Sequence, residues 1–177
     1  MSEQPVEIAL WTPEGFRDDE WRHEEDVTAA LAGNGRFILS LQAFLQLEAT
    51  AREGARERLG VVLQPGEPLD ALVPLLDRLP LVALAFPAFN DGRSFSKAQL
   101  LRERFGFTGA VRATGQVLVD QLPHMLRVGF DQFKVSNPVL LRRLKAGRVG
   151  GLGVYYQPAA TPGQKGPSYA WRRLPAA

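Results

Sequence analysis

A chain of 177 residues, 45% hydrophobic and 23% charged, has the composition of one soluble globular domain large enough to bury roughly two thirds of its unfolded surface. With no cysteine it forms no disulfide, offers no thiolate nucleophile and holds no cysteine-ligated zinc or iron–sulfur cluster. A net charge of +2, with a pI of about 9.2, is too slight an excess of base to imply nucleic acid.

In chain order, Met1 to Leu10 lacks the basic-then-apolar pattern of a secretory leader, so secretion is not expected, and Val6 to Trp11 is a short apolar segment followed by a turn at Pro13 and Gly15. An acidic amphipathic stretch then runs to Leu31, so residues 1–35 read as an N-terminal arm leading to the core. RFILSL at 36–41 reads as a buried strand feeding a helix to about Arg58. Further strands are expected at Gly60 to Leu63, Leu81 to Phe86, Ala110 to Thr114, Gln132 to Val135 and Leu152 to Tyr156, with helical periodicity between them. Leu69, Leu72, Leu75, Leu76 and Leu79 trace one helical face that Pro74 starts or kinks. Ser96 followed by Gln99 has the spacing of a capping box for a helix ending at Gly106. Asn137 and Pro138 open the next helix, which Gly147 stops. From Pro158 the chain is a Pro- and Gly-rich tail.

Short, almost continuous apolar strands alternating with helices define an α/β fold with a mainly parallel sheet. About five or six strands are expected in a single domain with its core over 36–157, as an incomplete barrel or an open doubly wound sheet. No apolar run approaches the roughly 20 residues of a membrane span. No membrane association is therefore expected, and the cytoplasm is the expected compartment.

In parallel folds ligands bind beyond the C-terminal ends of the strands. The loop from Pro87 to Ser96 follows one such end and carries Asp91, Arg93, Ser94 and Ser96. Its residues read either as an oxyanion site at a helix start or as a turn followed by a cap. Arg112, within a strand, needs a carboxylate or a bound anion if buried, and Asp91 or Asp120 could supply the former. An enzyme built here would bind a sulfur oxyanion or phosphate through Arg93 and Arg112, with Asp91 or Asp120 as acid or base. Arg102 and Arg127 read as surface residues on helices. His23, among Glu24, Glu25 and Asp26, reads as part of a solvated helical face rather than a metal site, and His124 as a helix residue rather than a base. There is no Walker loop, G-x-S-x-G or H-E-x-x-H motif. The glycines at 147, 150, 151 and 153 follow a helix rather than a strand, the reverse of a dinucleotide site. No motif for nicotinamide, flavin, iron–sulfur or zinc is present, and no metal is expected.

The stretch FNDGRSFSKAQLLRERFGFTGAVRATGQVLVDQLPHMLRVGFDQF, Phe89 to Phe133, resembles the signature of the bacterial domain of unknown function 934 family. The pattern includes Asp91, Gly92, Arg93, Leu100 to Arg102, Arg112, Gly115, Asp120, Gln121, Arg127 and Gly129 to Asp131. The chain departs from it at Ser94 and Phe95, commonly Gly and Tyr, at Gln116, commonly acidic, and at Val128, often Cys. Members are described in terms of an oxidoreductase role in sulfite reduction. The resemblance implies a pathway and assigns no catalytic residue or cofactor. The first expectation is an accessory or partner of sulfite reductase in assimilatory sulfite or sulfate reduction. The alternative is a small α/β enzyme, an oxidoreductase among the choices, binding a sulfur oxyanion or phosphate-bearing ligand.

Overall fold

The computed structural model describes residues 7–88 and 90–150. The expected strand at Leu152 to Tyr156 and the tail from Pro158 lie outside them. Eight strands form one sheet: β1 (Ala9–Thr12), β2 (Gly15–Arg17), β3 (Trp21–His23), β4 (Arg36–Ser40), β5 (Leu59–Leu63), β6 (Leu81–Phe86), β7 (Ala110–Gly115) and β8 (Gln132–Val135). Their spatial order is β2-β1-β8-β7-β6-β5-β4-β3. β3 through β8 pair in parallel, and β1 lies antiparallel to both β8 and β2.

From β3 to β8 every strand is laid beside its predecessor, always advancing in the same direction. Right-handed crossovers then put all the connections on one face, and the sheet curls around the other. Between the two expected architectures this is the incomplete barrel, since a doubly wound sheet needs a reversal of strand order. The sheet is larger than five or six strands because Ala9–Thr12, Gly15–Arg17 and Trp21–His23 all join it. Strands of three or four residues carry too few positions to display alternation, so only the apolar segment ending at Trp11 and the turn at Pro13 and Gly15 (φ +121° at Gly15) stood out. The two edge strands, β2 and β3, are linked by Asp18, Asp19 and Glu20 alone. Four peptide steps span at most about 14 Å, so the sheet's edges are drawn toward each other.

Alternation sorts the side chains. Val61, Leu63, Val82, Leu84, Phe86, Val111, Ala113 and Phe133 point outward into the main core against the helices. Trp21, Ile38, Val62, Leu81, Ala83 and Ala85 fill a second cluster on the inner face. Gly60 makes room for the Trp21 ring, which a Cβ would approach to 3.2 Å. All residues of β5 and β6 are buried, which explains their unbroken apolar runs.

The helices are short: α1 (Val27–Ala32), α2 (Leu41–Gln46), α3 (Ala49–Gly54), α4 (Arg93–Gln99), α5 (Leu122–Arg127) and α6 (Pro138–Lys145). The helix expected to run to Arg58 is broken at Leu47 into α2 and α3, with Ser40 capping the first. The leucines at 69, 72, 76 and 79 are buried as expected, around a 3-10 turn over Val73–Arg78. Asn137 caps α6 by accepting from the backbone N–H groups of Val139 and Leu140 at 3.0 Å, and Gly147 follows at φ +68°. The expected capping box at Ser96 does not form. α4 begins at Arg93, one residue after Gly92, and Ser96 lies exposed in its middle. The helix then widens into a π-helical turn over Leu100–Arg104 before Gly106 (φ +62°) ends it.

Candidate functional site

The curled sheet places one charged residue entirely inside. Arg112 is fully buried on the inner face of β7, beside Ala83 of β6 and Gln132 of β8. Its Nη1 donates to both Asp19 carboxylate oxygens, at 2.9 and 3.1 Å, while Nε and Nη2 converge on Gln132 Oε1 at 3.0 and 2.8 Å. Burial pulls the guanidinium pKa below its usual value and Asp19 opposes that pull. Asp19, rather than Asp91 or Asp120, is the carboxylate that meets Arg112, and it comes from the link that joins the sheet's two edges. No local pattern connects them, because the two residues are 93 positions apart.

Two residues beyond Arg112 and Gln132, toward the strand ends where ligands bind, the same face presents Thr114 and Lys134. Lys134 is half-buried and has no carboxylate partner among the described residues. His23, expected on a helix, ends β3 instead. Partial desolvation, then the charges of Lys134 and Arg112, hold its imidazole below the ordinary pKa, with Asp19 acting in the other direction. Above the paired Arg112, the rim of the inner face thus brings Lys134 near a histidine biased toward its neutral form.

The loop after β6 forms a separate group. Arg93 grips Asp91 through Nε at 3.0 Å and Nη2 at 2.7 Å, which holds the Asp91 carboxyl below its usual range. Ser94 is buried and donates to the Ala85 carbonyl at 2.7 Å. Lys97, also buried, donates to the carbonyls of Gln64 at 2.6 Å and Pro65 at 3.0 Å, and desolvation lowers its pKa. Ser94 and Lys97 therefore pin α4 to the ends of β6 and β5. Asp120 is exposed ahead of α5. Among the described residues no hydrogen bond or ion pair joins Arg112 to Asp91, Arg93 or Asp120, so the sequence-derived residues fall into three places rather than one.

Arg102, expected at the surface, is half-buried at the opposite end of the sheet. It donates to the carbonyls of Phe107 (2.6 Å), Gly109 (2.8 Å) and Gly129 (3.0 Å) and pairs with Asp131 at 2.7 Å. Asp131 also accepts from the Val111 N–H at 2.9 Å. Gly129 (φ +106°) lies so close that a Cβ there would stand 2.4 Å from Arg102 Cγ. His124 accepts at Nδ1 from Arg127 at 2.6 Å; a guanidinium only donates, so the neutral ring carries its proton on Nε2. Burial, then the Arg127 charge, lowers its pKa.

An incomplete α/β barrel whose interior holds an arginine–carboxylate pair beneath a cationic rim is the class of protein that this fold and site define. The chain belongs to a family of bacterial proteins of unknown function, DUF934, whose family model matches residues 60–166. A search of the curated proteins finds no match. Among the described residues no three histidine or acidic side chains gather as a metal site, and no helix is long and apolar enough to cross a membrane.

Proposed function

We propose that the protein binds a small oxyanion, of the sulfite, sulfate or phosphate kind, at the C-terminal rim of the sheet's inner face. It does so as an accessory to assimilatory sulfite reduction, in contact with sulfite reductase. The observation that carries the anion site is Lys134: a half-buried cation without a carboxylate partner among the described residues, near His23 and Arg112. A half-buried lysine without a carboxylate partner, beside a histidine that can take up a proton, favours an anion. Arg112 contributes its field, its carboxylate and amide partners being already in place. The sulfite setting rests on the family resemblance, which the residue pattern from Asp91 to Asp131 supports.

The test is thermal stability in sulfite, sulfate and phosphate, for the unaltered chain and Lys134→Met. An anion at one hundred times its Kd adds about 2.7 kcal/mol, a rise of roughly 5 to 10 °C at this size. That rise should vanish in Lys134→Met while the variant's own melting temperature stays within a few degrees. Equal shifts in both proteins would remove Lys134 from the site, and no shift with any anion would end the reading. The partner half is read by mixing purified sulfite reductase with the protein on a sizing column, where separate elution counts against it. The same rim would serve an enzyme acting on the anion. His23, biased toward its neutral form, is then better placed as the base than Asp91, which Arg93 holds.

A further inference from the structure

We propose that the outer layer carries a second binding site, for a short branched carboxylate, in the pocket between α3 and the 3-10 turn. Phe44, Leu59 and Leu75 form its apolar floor, and Arg52, Arg56 and Arg78 stand around it. Two of the three arginines share one acidic partner. Glu53 reaches Arg56 and Arg78 at 3.2 Å each, while Arg52, half-buried over the Phe44 ring at 5.7 Å, has no carboxylate partner among the described residues.

This arrangement selects a ligand with two parts. The guanidinium fork of Arg52 matches a carboxylate, to which it offers two parallel N–H donors. The floor rewards carbon, each buried methylene raising affinity about fourfold. A bare inorganic anion leaves that floor uncovered, and a neutral hydrocarbon leaves Arg52 unanswered. The cavity measures about 90 Å³. A cavity of about 150 Å³ takes a benzene ring, so the apolar body here is limited to about four carbons. A five-carbon branched acid such as 3-methylbutanoate meets all three constraints. The pocket lies outside the sheet, near the N-terminal ends of β5 and β6, and is separate from the Lys134 rim.

The experiment is an amide NMR titration of the full chain with 3-methylbutanoate, with 3-methylbutanamide, acetate and sulfate as comparisons. The acid should shift the amides of Phe44, Arg52 and Leu75 and bind at least tenfold more tightly than any of the other three. Arg52→Gln should weaken it about tenfold, Arg78→Gln should weaken it in the same direction, and Lys134→Met should leave it unchanged. The proposal is overturned if the amide or sulfate binds as well as the acid. It is equally overturned if the folded, unaltered protein shows no shift at these positions in about 50 mM acid, where a site with a Kd of about 50 mM would be half filled.

Discussion

Arg112 gives up its hydration to lie between β6 and β8, and the interior returns a carboxylate and an amide oxygen. A buried charge left without its partner costs about 3 to 5 kcal/mol. Asp19 keeps some solvent contact, so Asp19→Ala should fall at the lower end, about 3 kcal/mol, in urea unfolding. Pairing it with Arg112→Leu should recover part of the loss, and strictly additive costs would show that the two residues do not act together. Arg112 was legible as a residue in need of a partner, because an arginine in the middle of an apolar strand stands out. The partner was not. Asp19 sits among Asp18 and Glu20 in a stretch that looks like any solvated acidic run, and only the closing of the sheet brings it inside. Lys134 and His23 share this history: each is ordinary in its own segment, and they become a pair only when β3 and β8 face each other across the curl.

At the scale of the element, α4 shows where local patterns mislead. Ser96 and Gln99 have the spacing of a cap, yet the helix starts three residues earlier and the serine that bonds the sheet is Ser94. Ser96→Ala should change stability by less than about 0.5 kcal/mol, whereas Ser94→Ala should cost about 1 to 2 kcal/mol through the buried bond it loses. The reverse ranking in chemical denaturation would restore the capping box. The end of this helix and both ends of α6 were readable, because Gly106, Gly147 and Pro138 act through their own backbone conformation and Asn137 through bonds to the N–H groups that follow it in the chain. The start of α4 depends on the Ala85 carbonyl of β6 and on the Gln64 and Pro65 carbonyls that follow β5 and receive Lys97, the latter 33 and 32 residues away in the chain.

For the whole molecule, the alternation of strands and helices gave the α/β class. The choice between barrel and doubly wound sheet needed strand order, which depends on crossovers rather than on any residue type. One global property follows from the two histidines the chain contains. Both His23 and His124 have pKa values lowered from 6.5. Between those lowered values and 6.5 the folded protein binds fewer protons than the unfolded chain, so stability rises with pH across that window and is lost as pH falls. The urea midpoint should therefore be lower at pH 5.5 than at pH 7.5, and the difference should shrink in His23→Asn combined with His124→Gln. Asp131, raised by burial, works with the opposite sign from 3.8 upward. A midpoint difference unchanged by the histidine substitutions would assign the effect elsewhere.

The antiparallel pairing of β1 with β8, Ala9 to Trp11 against Phe133 to Val135, also sets a timetable for a chain made from its N-terminus. At roughly 5 to 20 residues per second, a ribosome leaves the first strand without its neighbour for roughly 6 to 24 s. During that interval β3 to β7 can assemble in order, each beside the strand just completed, while the hairpin of β1 and β2 waits. β1 thus gains its β8 neighbour only after the parallel strands between them have been made, and the closed sheet that holds Asp19 against Arg112 waits on β8.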